Sequence, residues 1–270
     1  MGARALLGPP VLPLRRAAGA RVRGAQAPRK GVGLPDPRAP ERRLARPRRG
    51  GVVASSIAGF GPIEFHTTAP VATGPAASLR DHFAHDTGIW HVGSDGDTDV
   101  EYDHGRLALA VSASDLGVLT RRHVGEAAGL TVQVQVGGGR LGLGDKVGVL
   151  CGTEFSNPSH LEEYALTLEV GRHGPAAINF VSYTPSGPVT GDEIATRRIP
   201  ALPANGPLTL RAQCKPGSGA AVQLWINGKL AVAGGISPGF DAYNSIGLYT
   251  YSAKGNTRAL FDNLVVSPTN

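Results

Sequence analysis

Polar and apolar residues alternate one by one through much of this chain, and a period of two is the signature of a β-strand with one buried face. In Gly129–Val136, Leu130, Val132, Val134 and Val136 fall on one side and Thr131, Gln133 and Gln135 on the other. The pattern recurs in LTLRAQC ending at Cys214, in VQLWINGKLAVA from Val222 to Ala233, in SIGLYTY, and in ALFDNLVV ending at Val266. Asn227-Gly228 tolerates the positive φ values of a two-residue type I′ turn, so WINGKL predicts a hairpin between antiparallel neighbours. Upstream runs such as VEYDHGRLALAVSA, LGVLTRRHV, KVGVLCGTEF, EEYALTLEVG and AINFVSYTP are punctuated by Gly, Pro, Asp, Asn or Ser. About a dozen short strands so spaced predict an all-β protein of two stacked antiparallel sheets, with no helix after Ser78 beyond a turn around Ser159 to Glu163.

Charge divides the chain of 270 residues. Residues 1–50 hold twelve arginines and one lysine against Asp36 and Glu41, a net charge of +11. The remaining 220 residues hold 14 basic and 19 acidic side chains, a net charge of −5. A segment of Arg, Pro, Ala and Gly with few aromatic or β-branched residues buries too little apolar surface to offset its ordering entropy. The expected organisation is a disordered basic arm over 1–61, a Pro/Thr/Ala/Gly linker over 62–77 and a sandwich domain over 78–270. Arg42-Arg43 and Arg48-Arg49 would be the natural contacts to a polyanion, but no aromatics are interleaved to stack bases. An inert tail or an upstream-extended start is therefore the simpler reading, and no specific nucleic-acid partner is expected. Neither Ala5–Leu14 nor Gly51–Phe60 makes a convincing signal segment, although the second, behind Arg48-Arg49, resembles a weakened one. No stretch reaches the roughly 20 apolar residues of a transmembrane helix.

Two cysteines, Cys151 and Cys214, each lie in a strand-like run. Two buried thiols would be ordinary in a reduced protein. A disulfide closing a loop of about 60 residues is the alternative, and the one favoured if the domain is exported. The spacing excludes a CxxC metal or redox site.

The order of features from Phe83 to Val266 resembles the concanavalin A-like lectin/glucanase jelly roll, in its laminin-G-like and 3-keto-disaccharide-hydrolase-like branch. The matching residues are HFAHDTGIW, then Tyr102-Asp103-His104-Gly105 before LALAV, then VGVLCG and Tyr164-Ala165-Leu166, and finally LTLRAQC, LWINGKLAV, SIGLYTY and ALFDNLVV. The resemblance covers residues 78–268 and implies a two-sheet jelly-roll sandwich. That fold hosts lectins, adhesion modules, hydrolases and lyases, so it leaves the activity open.

Sugar recognition stacks aromatic faces on pyranose rings beside a few polar groups. Tyr249 and Tyr251 share a strand face and, with Tyr183, are the candidate ligand-binding residues; Trp90 and Trp225 read as packing residues. Asp95, Asp97 and Asp99 alternate on a loop and strand start, and lectins of this fold often use calcium, so they are the candidate calcium ligands. The twelfth position of an EF-hand loop begun at Asp95 is Arg106 where Glu is needed, so a solvated acidic loop is the competing reading. Glycoside hydrolysis needs two carboxylates on one face, and Glu101 and Asp103 have that parity. The Glu-x-Asp-x-Glu and Glu-x-Asp-x-x-Glu strands of the glucanase branch are missing, however. Glu162-Glu163 and Asp192-Glu193 are adjacent pairs that point to opposite faces, so neither forms a dyad. His82, His85 and His91 read as structural residues on a strand, and no nucleophile elbow or phosphate loop is present. The reading is a non-catalytic carbohydrate-binding or adhesion-type module, extracellular or at a cell surface, with polysaccharide or glycan as partner. A glycan hydrolase of the same fold and a protein-binding structural module are the alternatives.

Overall fold

The alternating runs become paired strands. In a computed structural model, the described residues are 52–54, 63–66, 74–154, 161–171, 173–183, 190–200, 206–216, 221–235 and 240–269; among them are seventeen strands and no helix. In chain order these are β1 (Val52–Ala54), β2 (Ile63–His66), β3 (Leu79–Asp81), β4 (Gly93–Asp95), β5 (Thr98–Tyr102) and β6 (Leu107–Val111). Next come β7 (Leu116–Ala127), β8 (Gly129–Val136), β9 (Lys146–Glu154), β10 (Leu161–Glu169), β11 (Pro175–Tyr183) and β12 (Thr190–Arg198). The last are β13 (Leu208–Cys214), β14 (Val222–Ile226), β15 (Lys229–Gly234), β16 (Tyr243–Ser252) and β17 (Thr257–Thr269). The first sheet has the order β1-β2-β7-β16-β9-β10-β11-β12, and the second β15-β14-β13-β8-β17-β6-β5-β4, with β3 also paired to β17.

Pairing is antiparallel except that β2 runs parallel to β7. That exception lies where the sequence pattern predicts arm and linker. Val52–Ala54 and Ile63–His66 form strands at the edge of the first sheet, because Ile63-Glu64-Phe65-His66 is a short alternating run whose backbone groups complete the open side of β7. The rest of the predicted arm lies outside the described residues. Leu161–Glu163, expected in a turn, opens β10 instead.

HFAHDTGIW departs from its expected extended form as well: only Leu79–Asp81 is a strand. Phe83 turns out of the ladder at φ 51°, and the Asp81 carboxylate gathers the segment. It accepts from the Phe83 N–H at 2.8 Å, from Trp90 Nε1 at 3.0 Å and from Arg122 Nη1 at 3.4 Å. Phe83 and Trp90 are thereby buried against each other, with ring centroids 5.8 Å apart.

One face of each sheet meets the other. Val118, Val149, Leu166, Ile178 and Leu248 from the first sheet face a core completed by Val132, Val134, Leu210, Leu224, Phe261 and Val266 from the second. The hairpin predicted at Asn227-Gly228 has φ of 49° and 76°, as a type I′ turn requires. Asn227 also clamps β13: its N–H donates to the Thr209 carbonyl at 2.9 Å, and its Oδ1 accepts from the Thr209 N–H at 2.8 Å. Cys151 on β9 and Cys214 on β13 are fully buried and joined as a disulfide across the core, with Cα atoms 6.6 Å apart and 63 residues apart in sequence.

A crosslink closing a loop of that length restricts the unfolded chain strongly. The double variant Cys151→Ala/Cys214→Ala is expected to lose about 4 kcal/mol of unfolding free energy in urea titrations under non-reducing conditions. An unchanged midpoint would show that the crosslink contributes nothing to stability.

Candidate functional site

On the first sheet, the residues between the core-facing ones point outward, and strand register sets them in rows. One row runs Gly117, Tyr251, Lys146, Glu169 across β7, β16, β9 and β10. The next runs Leu119, Tyr249, Gly148, Thr167, Ala177, Thr196, and the one after it Arg121, Gly247, Leu150, Ala165, Asn179, Glu193. Toward β12 these rows enclose a cavity of about 220 Å³ walled by Lys146, Thr167, Glu169, Pro175, Ala177, Asn179, Glu193 and Thr196. Its polar groups come from four consecutive strands, so no local stretch of sequence contains the site.

Lys146 joins the cavity to the tyrosines. Its ammonium lies 5.2 Å from the centroid of the Tyr251 ring. Burial lowers its pKa, and the charges of Glu169 and Glu193 act in the opposite direction. The Tyr251 hydroxyl donates to Asp115 Oδ1 at 2.9 Å. Burial first, then the bond to Asp115 and the nearby carboxylate charges, push the Tyr251 pKa up to about 12.

Beside the cavity, Arg121 Nη2 donates to Glu163 Oε1 at 3.0 Å, with side chains only 9% and 2% exposed. Two strands separate these residues, and in the lane between them β16 and β9 present Gly247 and Gly152. A Cβ at Gly152 would stand 2.5 Å from the Glu163 Cβ, and one at Gly247 would stand 2.9 Å from Leu119 Cδ1. Glycine at both places leaves the guanidinium a path along the sheet.

The sequence-predicted residues fare unevenly. Tyr249 and Tyr251 do share a face, but Tyr249 is fully buried, and a Cβ at Gly117 would stand 2.9 Å from its ring. It therefore offers no stacking surface, and the two-tyrosine platform reduces to Tyr251. Tyr183 ends β11, and its side chain lies outside the described residues. Glu101 and Asp103 share a face as their parity required, but on the second sheet, where both accept from Arg258 Nη2, at 2.7 and 2.9 Å. Asp103 also bonds His104, which together with Arg258 holds its carboxyl below the usual range. These two carboxylates are held by a common cation and do not flank the first-sheet cavity.

The calcium candidates likewise stay apart. Asp97 accepts from Ser112 Oγ at 3.0 Å, Asp95 pairs with Thr98 in the β4–β5 hairpin, and burial followed by Glu101 raises the pKa of Asp99. Among the described residues, no three His, Cys, Asp or Glu side chains converge in a metal-binding arrangement. His82 and His85 follow β3 in irregular chain rather than on a strand, and His82 Nδ1 bonds Asn263 Oδ1 at 2.8 Å. Trp225 stacks under Arg211, whose guanidinium carbon is 4.4 Å from the ring centroid.

Lys146, Glu169, Asn179 and Arg121 carry no motif, and sequence reasoning passed over them. The adjacent pairs Glu162-Glu163 and Asp192-Glu193 do present one member to this face, but the partners of Glu163 and Glu193 lie on other strands.

No protein-family model matches the chain, and no curated protein sequence does either. Among solved structures, a sialidase superposes with a TM-score of 0.50 at 11% identity over 73% of this chain, which spans 19% of the sialidase chain. A β-glucanase of Bacillus licheniformis is similar with a TM-score of 0.48 at 14% identity, covering 72% of this chain and 98% of that one. The κ-carrageenase of Pseudoalteromonas carrageenovora, solved with an oligotetrasaccharide of κ-carrageenan, gives 0.46 at 10% identity over 74% and 98% of the two chains. At these identities the likeness is one of fold. The fold is a sandwich of two largely antiparallel sheets.

Breaking a buried ion pair leaves a charge without compensation, whereas replacing both partners by apolar groups does not. Arg121→Met and Glu163→Leu are each expected to cost about 3–5 kcal/mol in urea unfolding, and the double variant to recover most of that loss. Additive losses would show that the pair is not coupled. Because the folded state holds the Tyr251 proton more tightly than the unfolded chain, the stability it contributes is complete below its ordinary value of 10.0 and lost as pH rises towards about 12. Phenolate absorbance should show this tyrosine ionising late, as buried Tyr243 and Tyr249 also do, and Tyr251→Phe should reduce the late component by one tyrosine.

Proposed function

We propose that the outer face of the first sheet binds a glycan without turning it over, and that the protein works outside the cell or at its surface. The observation that carries this reading is the cavity at β9–β12. Lys146 donates, Glu169 and Glu193 accept, and Asn179 and the hydroxyls of Thr167 and Thr196 do both, with Tyr251 beside the ammonium. Such a mixture of donors and acceptors next to an aromatic ring suits sugar hydroxyls. A disulfide across the core supports an oxidising compartment. Among the described residues no helix is long and apolar enough to cross a membrane.

One observation favours hydrolysis as the second reading: Glu169 and Glu193 line the same cavity. A protein-binding surface has less support, since Leu143 and Leu230, 69% and 47% exposed, are the exposed large hydrophobics among the described residues, one in a turn before β9 and the other in β15.

A glycan array probed with the full chain, with calcium and with chelator, tests the reading. Binding to a defined glycan should survive chelation. Asn179→Ala and Glu193→Gln should each weaken it about tenfold, the effect of losing one or two hydrogen bonds at a buried or charged group. Release of reducing ends that disappears in Glu193→Gln while binding persists would establish the hydrolase instead. Silence across a broad array would overturn both.

A further inference from the structure

On the opposite side of the sandwich lies a larger cavity, about 560 Å³, whose lining includes Arg106, Arg140 and Arg258 against a single carboxylate, Asp103. Arg140 and Arg258 form an isolated antiparallel bridge, each N–H donating to the other's carbonyl at 2.8 Å. A hydrogen-bonded pair of this kind puts both side chains on one face, and like charges placed so are destabilising unless something neutralises them. Glu101 and Asp103 neutralise Arg258, at 2.7 and 2.9 Å. Arg140 donates only to the neutral Asn256 Oδ1. The Arg106 guanidinium lies over the Gly138 backbone, with Nη1 2.7 Å from where a Cβ would stand. Neither Arg106 nor Arg140 makes an ion pair among the described residues.

The scaffold beneath them is well tied. Asp145 is buried, and its carboxylate accepts from Gly142 N–H at 2.6 Å, Ala253 N–H at 3.0 Å and Thr257 Oγ1 at 2.7 Å. The loop carrying Arg140 is thereby joined to the turn carrying Asn256. Two uncompensated guanidinium groups on a braced frame are suited to an oxyanion, which each fork can grip with paired N–H donors. The volume exceeds what a bare ion needs and falls in the range of small-molecule sites. Ser112 and Asn256 provide partners for hydroxyls, and Ala110 an apolar contact for the C–H face of a ring.

We infer that the outer face of the second sheet carries a separate site for an anionic saccharide, a sugar ring bearing a carboxylate or sulfate that Arg106 and Arg140 hold. This site is independent of the first-sheet cavity, so either can fail without the other. Calorimetric titration of the full chain at about 0.3 M salt, which screens diffuse attraction to the Arg-rich residues 1–50, compares four probes. They are an oligogalacturonate, its methyl ester, a heparin oligosaccharide and inorganic sulfate. One of the two anionic oligosaccharides should bind, which tells carboxylate from sulfate, and the ester should not. Arg106→Ala/Arg140→Ala should weaken that binding at least tenfold, whereas Asn179→Ala/Glu193→Gln should leave it unchanged. Arg140→Glu, at an exposed position whose backbone makes the bridge, provides a second variant should the double one fold poorly. The inference is overturned if neither oligosaccharide binds, if the arginine variants bind as wild type does, or if inorganic sulfate binds as tightly as the oligosaccharide.

Discussion

The consecutive strands β16 and β17 occupy the interior of both sheets, one in each. β16 lies between β7 and β9 in the first sheet; β17 lies between β8 and β6 in the second and takes β3 as well. Until residues 243–269 are in place, neither sheet is continuous, and the core lacks Ile246, Leu248, Phe261 and Val266. Strands adjacent in sequence thus end in opposite layers, and the pairings that complete each layer are distant in sequence. Contacts of that kind must be bought with loop closure before they return any stability, so folding of this domain depends on its last segment. The Cys151–Cys214 disulfide acts on the same problem by holding β9 to β13 across the layers.

The same two strands and the turn between them contribute to both candidate sites. β16 carries Tyr251 to the outer face of the first sheet, where Lys146 lies against it. The turn that follows carries Asn256 and Arg258 to the second-sheet cavity. Asp145 lies next to Lys146 in the chain and fastens that turn, so one buried carboxylate braces the surroundings of both sites. The faces differ in chemistry: the first mixes one ammonium with two carboxylates and amide and hydroxyl groups, whereas the second has guanidinium groups in excess over carboxylates.

Much of the architecture could be read from the chain, because the period of two and the turn residues are local properties. The NG turn, the closing ALFDNLVV strand and the core side of Val132, Val134, Leu210 and Leu224 all follow from alternation. Where a stronger local interaction competed, alternation misled: the Asp81 carboxylate draws Phe83 and Trp90 out of an extended path. Ile63–His66 was hidden by its Pro- and Thr-rich flanks, and its strand exists through pairing with β7.

The candidate sites were much less legible. Parity correctly put Glu101 with Asp103, and Tyr249 with Tyr251, on shared faces. It could not tell that Arg258 holds the first pair, or that Tyr249 is seated against Gly117. By itself, the sequence determined the all-β class and which side of most strands faces inward, since both depend on the order of neighbouring residues. Tertiary structure alone decided that Lys146, Glu169, Asn179 and Glu193 meet, and that Arg106 and Arg140 stand without a carboxylate partner among the described residues. Those groups are brought together by register between strands remote in sequence, which no local spacing records.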